Sequence, residues 1–474
     1  MFRPEQLRPL GTYLLLVILL PLLELPPFQY RAPLEIRAAV EALHRGTYLE
    51  AAAHFAAAAE WQPRRGDLWE AAGIYALQGG DPQRSEIYLE RAALMQPSTN
   101  ILIQLGDARK QQGDAYGAIE AWEQALQTGK VPSGLYWDLA SAYLEQQDLA
   151  SAARVLKMLA EREPGQAEVQ FHLGMVSAAY EPEAALAYLS HAARLDPGLK
   201  DAVSRITRSI TAARFADDPA YSLVSAGRAL AGLGEWDLAA AAFHRAVQIR
   251  PDYAEAWAFL GEARQQAGMD GLAEVDSLQA LQTAVELDPG SLSAQLFLAM
   301  YWQRQGEPEK AVQSLQAALQ HNPERAILLA ELGNALAAQG DLAAAYEAYQ
   351  QAARQAPQNP SFFRLLAAFS LKYNYQPGEV ALPAARRAVL LNTQDPQSLD
   401  MMAQVLIRLN DLCNAGRFAR RALQVDPSYA PAHLHLGLIY RLQGQEQLAQ
   451  QAFELARSLD KGGPTAEQAE RLLQ

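Results

Sequence analysis

The sequence predicts an all-α protein, an α-solenoid of about twelve helix–turn–helix units preceded by one apolar N-terminal helix. Three observations predict this class. Alanine, leucine and glutamine are abundant while β-branched residues are few, as is typical of helical chains. Pro289, Pro323 and Pro357 follow one another at a constant interval, which indicates a repeated unit. Within each unit, apolar residues recur three and four positions apart, the spacing of a buried helix face.

The N-terminal segment is the first element. Residues 10–25, LGTYLLLVILLPLLEL, are almost wholly apolar and follow Arg3 and Arg8. Extended by three residues, this stretch forms a helix of roughly 28 Å, barely enough for a bilayer core. We expect an uncleaved anchor with a cytoplasmic N-terminus and the repeats outside, although Arg31 and Arg37 weaken that orientation. A cleaved signal that exports the protein, or a helix buried against the repeats, stays open.

The repeated unit is cleanest at residues 326–357, AILLAELGNALAAQGDLAAAYEAYQQAARQAP. Gly340 and Asp341 are predicted to end its first helix and cap its second. Gly333 is expected to let a neighbouring backbone come close. The apolar stripe of the first helix comprises Leu329, Leu332 and Leu336. The small-large-small face of the second helix comprises Ala345, Tyr349 and Ala352.

The small residues and prolines divide the chain into five segments. Pro197 and Pro251 lie farther apart than one repeat allows, and residues 199–215 between them place their apolar side chains on one face. This pattern predicts an interrupting amphipathic helix, either a hinge or a degenerate half-repeat between two sub-arrays. The segments are a tail with its transmembrane helix (1–31, helix about 10–28), about five repeats (32–197), the interruption (198–219), about seven repeats (220–461) and a capping helix (462–474).

The constant period, the two helices per unit and the recurring W-x-x-L-G, G-D, A-x-x-x-F-x-x-A and P spacing resemble the tetratricopeptide repeat family. The last full copy shows Leu436, Gly437, Gly444, Ala449, Phe453 and Ala456. The resemblance covers nearly everything after residue 31. It implies a right-handed superhelix whose concave face, lined by the first helix of each unit, holds a peptide or a protein helix. It also implies that stability is a sum of terms between neighbouring repeats.

The resemblance implies that positions 2, 5, 9, 12 and 13 of the first helices face a ligand. In the later copies these positions hold Gln303, Arg304, Asn334, Arg364, Lys372, Gln404, Arg408 and Arg441, together with Met300 and Asp400. The chain carries a net charge of −13, yet most of the charged groove residues are basic. We expect them to attract an acidic segment or a C-terminal carboxylate, which guanidinium groups hold in bidentate fashion. An ordinary solvated face is the alternative.

The aromatic residues of one lengthened copy are a second candidate surface. They are Phe362, Phe363, Phe369, Tyr373 and Tyr375. Their spacing predicts core packing, with the tyrosines against the lengthened turn, and an apolar landing surface stays open as the alternative.

Motifs for chemistry are missing from the sequence. No Gly-x-Ser-x-Gly, His-Glu-x-x-His or phosphate-loop pattern occurs. Cys413 has no Cys-x-x-Cys partner and is predicted to lie in a turn. His433 and His435 lie two apart, so on a helix they point to different sides. We expect no catalysis, cofactor or metal, and the acidic balance argues against nucleic acid.

The predicted function is a non-catalytic, membrane-tethered scaffold that binds a partner protein or peptide in its groove and organises a complex. The alternative is a repeat component that recruits substrate for an enzyme system, such as one for glycosyl transfer, with catalysis on another chain. Neither the repeat period nor the motifs distinguish these two functions.

Overall fold

The computed structural model describes residues 28–268 and 276–473. These residues contain 26 α-helices and no β-strand, so the predicted all-α class is confirmed. The predicted apolar helix at residues 10–28 lies outside the described residues except at Phe28, where the first helix begins. Within the two described ranges, no helix combines the length and the apolar character needed to cross a membrane.

The chain forms two compact units, Met1–Arg208 and Ser209–Gln474. The first unit holds five consecutive helix pairs: α1 Phe28–His44 and α2 Tyr48–Trp61, α3 Gly66–Gln78 and α4 Pro82–Met95, α5 Thr99–Gln111 and α6 Ala115–Thr128, α7 Ser133–Glu145 and α8 Leu149–Arg162, α9 Ala167–Tyr180 and α10 Pro182–Leu195. The single helix α11, Lys200–Ala213, contains the division between the units.

The second unit holds seven pairs and a final helix. They are α12 Pro219–Ala231 and α13 Trp236–Ile249, α14 Ala254–Ala267 and α15 Ser277–Leu287, α16 Leu292–Arg304 and α17 Pro308–His321, α18 Ala326–Gln339 and α19 Leu342–Gln355, α20 Pro360–Lys372 and α21 Leu382–Leu391, α22 Pro396–Arg408 and α23 Leu412–Val425, α24 Ala430–Leu442 and α25 Glu446–Leu459, then α26 Pro464–Leu473. The even-numbered helices α12 to α24 are the first helices of their pairs.

In several pairs a small residue lies opposite a large one. A Cβ atom added to Gly333 of α18 would lie 2.9 Å from the ring of Tyr349 on α19. Gly106 faces Trp122 in the same way, and Gly437 faces Phe453. The prediction that Gly333 admits a neighbouring backbone is therefore wrong, because an aromatic side chain of the paired helix fills the space. A larger residue at this position would force the two helices apart.

The turn predicted inside the cleanest repeat is present. Gly340 ends α18 with a φ of +97°, a left-handed conformation that glycine adopts without strain. Asp341 caps α19, and its side chain accepts a hydrogen bond of 3.0 Å from the amide of Ala344. The predicted stripe is shifted, however, since Leu328 is fully buried and Leu332 is only half-buried.

One local prediction is wrong, and two local features go beyond the predictions. Cys413 is the second residue of α23 and not part of a turn. The last helix starts at Pro464, so Thr465 lies inside its first turn. In the lengthened copy the extra residues form a π-helical turn, Pro377–Ala381, which follows Gln376 at a φ of +45°. This turn replaces the beginning of the second helix and leaves α21 only ten residues long.

Candidate functional site: a pocket on the first helices of the second unit

A pocket of about 590 Å³ lies on three successive first helices, α16, α18 and α20. We call it the first-helix pocket. Its wall comprises Gln303, Gly306, Pro308, Asn334, Ala337, Ala338, Tyr349, Leu365, Ala368, Phe369, Lys372 and Tyr373. Three of the predicted groove residues, Gln303, Asn334 and Lys372, thus line one cavity. Its size falls in the range of ordinary ligand pockets.

The pocket exists because α18 carries alanine where its neighbours carry long side chains. Ala337 and Ala338 occupy the last turn of α18, and the equivalent positions of the preceding repeat hold Gln303 and Arg304. In the following repeat the equivalent of Ala338 is Lys372. Two methyl groups therefore face a space that flanking repeats fill with longer groups. Sequence position alone predicted the long residues but missed this space.

One wall of the pocket is a polar network on α18. The side-chain nitrogen of Asn334 donates to the Glu331 carboxylate at 3.0 Å, and the Tyr349 hydroxyl donates to the side-chain oxygen of Asn334. Gln303 donates a long bond of 3.4 Å to the Glu331 carbonyl. Burial, together with the charge of Glu331, raises the pKa of Tyr349 far above its ordinary value. The phenol is therefore a fixed neutral donor that orients Asn334.

The opposite wall carries the cation of the pocket. Lys372 is exposed, and its ammonium nitrogen lies 5.2 Å from the centre of the Tyr373 ring. Within residues 28–268 and 276–473, no carboxylate lies within ion-pair distance of Lys372. Phe369 lies below it, buried, with its ring centre 5.1 Å from that of Tyr349. A lysine beside aromatic rings and two amides can hold a carboxylate next to an apolar group.

Arg304, also predicted for the groove, binds another part of the chain. Its two terminal nitrogens donate to the two carboxylate oxygens of Glu262 on α14 at 2.9 and 2.7 Å. The Glu262 side chain is only 10% exposed, so the pair is largely shielded from water. This bidentate pair connects two successive first helices.

Arg364 is likewise occupied. It donates to the Asp395 carboxylate at 2.5 Å and to the Ser398 hydroxyl at 3.2 Å, both at the start of α22. The Arg364 and Asp395 side chains are 19% and 14% exposed. Asp395 also caps α22 through the amides of Gln397 and Ser398. The guanidinium therefore stabilises the cap of the next repeat.

The remaining predicted residues also have hydrogen-bond partners within the chain. Gln404 donates to Asp400 at 3.1 Å, and Asp400 is buried against His435. Arg408 donates to the side chain of Asn374 at 2.6 Å. Arg441 donates to the Leu472 carbonyl at 2.5 Å. None of these groups lines the first-helix pocket, and their role in partner binding stays a prediction.

The aromatic run is divided between core and surface. Phe369 is 3% exposed, and its ring centre lies 5.7 Å from that of Tyr373 and 5.6 Å from that of Tyr375. Phe362 packs against the same core. Phe363 instead lines a second cavity near the second helices. The core interpretation thus describes all of them except Phe363.

Potential metal ligands do not cluster among the described residues. No group of three or more histidines, cysteines, aspartates and glutamates there could hold a metal ion. His433 bonds the Pro427 carbonyl and His435 bonds Asp400, so the two imidazoles point to different partners.

The helix pairs and their pocket define a helical repeat protein with a ligand-sized cavity on its first helices. Parts of the chain match tetratricopeptide repeat profiles: one profile of that description matches residues 103–167, 224–291 and 298–360, and a second one matches residues 430–462. The third of these matches contains α18 and the second half of α16. The matching profiles describe repeats and not a catalytic domain.

One curated relative is the Protein CTR9 homolog of Arabidopsis thaliana. It is 26% identical over 256 residues, which are 52% of this chain and 23% of that protein. The chain therefore matches less than a quarter of that relative's length.

Solved structures of similar fold include yeast Tom70, at 14% identity over 93% of this chain and 94% of that chain, with a TM-score of 0.44. The Cut9–Hcn1 hetero-tetramer of the APC/C is similar at 14% identity over 94% and 96%, with a TM-score of 0.40. Both TM-scores lie below 0.5, and function cannot be transferred from likeness at that level.

Proposed function

We propose that this chain is a non-catalytic repeat scaffold, which binds a segment of a partner protein in the first-helix pocket and organises a complex around it. One observation carries the proposal: Gln303, Asn334 and Lys372, from three successive repeats, meet at a single cavity of about 590 Å³. A ligand that spans the three repeats contacts a different polar group on each of them. Such spacing suits an extended peptide better than a compact metabolite.

The wall chemistry suggests how a peptide is held. Leu365, Ala368 and Phe369 provide an apolar floor for one side chain. The amides of Gln303 and Asn334 can bond a peptide backbone, because an amide both donates and accepts hydrogen bonds. Lys372 attracts an acidic side chain or a C-terminal carboxylate. Arg304 and Arg364 are paired with Glu262 and Asp395, so we expect Lys372 to contact the ligand carboxylate.

Ala338→Trp tests the pocket, because Ala338 is exposed and an indole there would fill the cavity without entering the core. The probe is a set of peptides selected on the full chain from a phage-displayed random library. We expect fluorescence anisotropy to show at least tenfold weaker binding, about 1.4 kcal/mol of binding free energy. Ala338→Ser is the matched control and should bind like the wild type.

Lys372→Glu separates charge from shape in the same assay. Peptides that end in a free carboxylate or carry acidic residues should lose affinity, while amidated neutral peptides should not. If Ala338→Trp and Lys372→Glu both bind every selected peptide as the wild type does, the ligand site lies elsewhere and the proposal is abandoned.

A membrane tether at residues 10–25 is part of the proposal, with the N-terminus cytoplasmic and the repeats outside. It rests on the apolar run and on Arg3 and Arg8 before it. Washing membranes with sodium carbonate should leave the full chain in the pellet, whereas a Val17→Arg/Ile18→Arg variant should be released and Val17→Leu retained. Release of the wild type from the membrane would contradict the proposed tether but would leave the proposed scaffold function unaffected.

Crosslinking of the detergent-extracted full chain, followed by mass spectrometry, tests the partner directly. The scaffold proposal predicts crosslinks from a partner segment to residues around Lys372. A partner chain with glycosyltransferase activity at that position would favour the alternative, a repeat component that recruits substrate for an enzyme.

A further inference from the structure

A second cavity, of about 390 Å³, lies on the other side of α20 from the first-helix pocket. Helices α19 and α21 and the π-helical turn complete it, and we call it the second-helix pocket. Its floor is apolar and comprises Phe363, Leu366, Val380, Pro383 and Ala384. Its rim comprises Arg354, Arg387, Glu379, Gln350 and Tyr346. The two pockets share no residue.

The π-helical turn shapes this pocket, and among the described repeats only this one has such a turn before its second helix. Gln376 takes a left-handed φ of +45°, and the chain then enters Pro377–Ala381 in place of a regular first turn. Tyr375 stays on the core side, with its ring centre 5.7 Å from that of Tyr346. Val380 is buried at the base of the cavity, and Glu379 is left exposed at its edge.

A concentrated positive charge lies on α21, which lines this pocket, and on α23, the second helix of the next repeat. Helices α21 and α23 together contain five arginines and no aspartate or glutamate, in a chain of net charge −13. With Arg354 of α19 they form a group that we call the arginine face. Its members are Arg354, Arg386, Arg387, Arg417, Arg420 and Arg421.

The arginine face repeats with the period of the array. Arg386 and Arg420 occupy equivalent positions of successive repeats, as do Arg387 and Arg421. The face ends at α25, where the next equivalent of Arg420 is Glu454. Charges of one sign in register on adjacent repeats produce a local positive potential.

The charges of this face are not neutralised. Arg387 and Arg421 donate to backbone carbonyls, of Pro357 at 3.5 Å and of Thr393 at 2.9 Å. Arg354 donates to the Gln350 side chain at 2.6 Å. In the described part of the chain, none of the six arginines has a carboxylate within 4.0 Å. Each can still accept a carboxylate partner.

We propose that the arginine face and the second-helix pocket together bind an acidic protein segment, which inserts a large apolar side chain between Phe363 and Val380 and pairs its carboxylates with Arg386, Arg387 and Arg420. Protein interfaces commonly combine an apolar side chain buried in a pocket with charged pairs around it. A flat anionic membrane would not use the pocket, and Glu379 on its rim would repel such a surface. This site is independent of the first-helix pocket.

The probe is a fluorescein-labelled ten-residue peptide with a central Trp-Leu flanked by four glutamates or aspartates on each side. Binding to the full chain is measured by anisotropy. Arg386→Glu/Arg420→Glu should weaken binding at least tenfold, since both side chains are exposed and accept the reversed charge without loss of a described hydrogen bond. Arg457→Glu/Lys461→Glu is the matched control, with the same change of net charge on exposed residues outside the face. It should change affinity less than about twofold at physiological salt.

Two further comparisons decide the chemistry of the ligand. A peptide with Ala-Ala in place of Trp-Leu should bind at least tenfold more weakly, because the pocket is then empty. Glu379→Gln should tighten binding about twofold or more by removing the acidic group on the rim. If circular dichroism shows that the double charge reversal unfolds the chain, the Glu379→Gln variant becomes the deciding test. An unchanged affinity of that variant for the peptide would then contradict the proposal.

Three results would overturn this inference. The first is wild-type affinity in Arg386→Glu/Arg420→Glu with its helix content intact. The second is equal affinity for the Trp-Leu and Ala-Ala peptides. The third is binding to phosphatidylserine vesicles without measurable binding to the peptide, which would make the face a membrane-contact surface.

Discussion

Arg364 and Arg386 belong to the same repeat but serve different purposes. Arg364 lies on the first helix, is 19% exposed and binds Asp395 of the next repeat. Arg386 lies on the second helix, is exposed and has no carboxylate partner among the described residues. The same contrast separates Arg304, paired with Glu262, from Arg420. Arg304 and Arg364 thus hold successive repeats together, whereas Arg386 and Arg420 remain available to a ligand.

Arg364→Ala should reveal this structural role most clearly. The substitution removes hydrogen bonds to Asp395 and Ser398 and leaves a carboxylate that is 14% exposed without its cation. Asp395 keeps its contacts with the helix amides, so we expect a loss of about 1.5–3 kcal/mol in unfolding free energy. Native-state hydrogen exchange should show the loss in α20 and α22 and little change in α12 and α13.

Arg386→Ala is the matched control for that experiment, since it also removes an arginine side chain, but from the second helix of the same repeat. An exposed residue without a described ion pair should change the unfolding free energy by about 0.5 kcal/mol or less. Equal destabilisation by the two substitutions would contradict the distinction between the first-helix and the second-helix arginine.

Much of the fold could be predicted from the sequence because each repeat is specified locally. The capping residue Asp341, the left-handed Gly340 and the constant repeat period follow from neighbours in the chain. The first-helix pocket was partly predicted: Gln303, Asn334 and Lys372 follow from their positions in the repeat, but the alanines that open the cavity were missed.

The availability of the predicted arginines could not be derived in the same way. Arg364 is paired with a residue 31 positions away, and Arg304 with one 42 positions away. Such pairs depend on how one helix is rotated against the next, which the spacing within a single repeat does not determine. The second-helix pocket depends on the π-helical turn, which the sequence shows only as two extra residues.

Tyr349→Phe tests how far internal contacts also fix the first-helix pocket, and we expect a smaller effect than that of Arg364→Ala. The substitution removes one hydrogen bond to Asn334 and keeps the buried ring, so the loss in unfolding free energy should be about 1 kcal/mol at neutral pH. In the folded protein, burial raises the pKa of Tyr349 above the value near 10 of the unfolded chain. Its contribution is therefore complete below about pH 10 and is lost as the pH rises further, when only the unfolded state ionises.

The difference between wild type and Tyr349→Phe should consequently shrink above pH 10 in urea denaturation. Tyr143 and Tyr429, whose pKa values burial also raises, are present in both proteins and cancel in the comparison. A difference that stays constant from pH 7 to pH 11 would show that the phenol ionises equally in both states. Asn334 would then be free to turn toward a ligand. The contrast between first-helix side chains held by contacts within the protein and second-helix side chains available to a ligand would then not apply to the first-helix pocket.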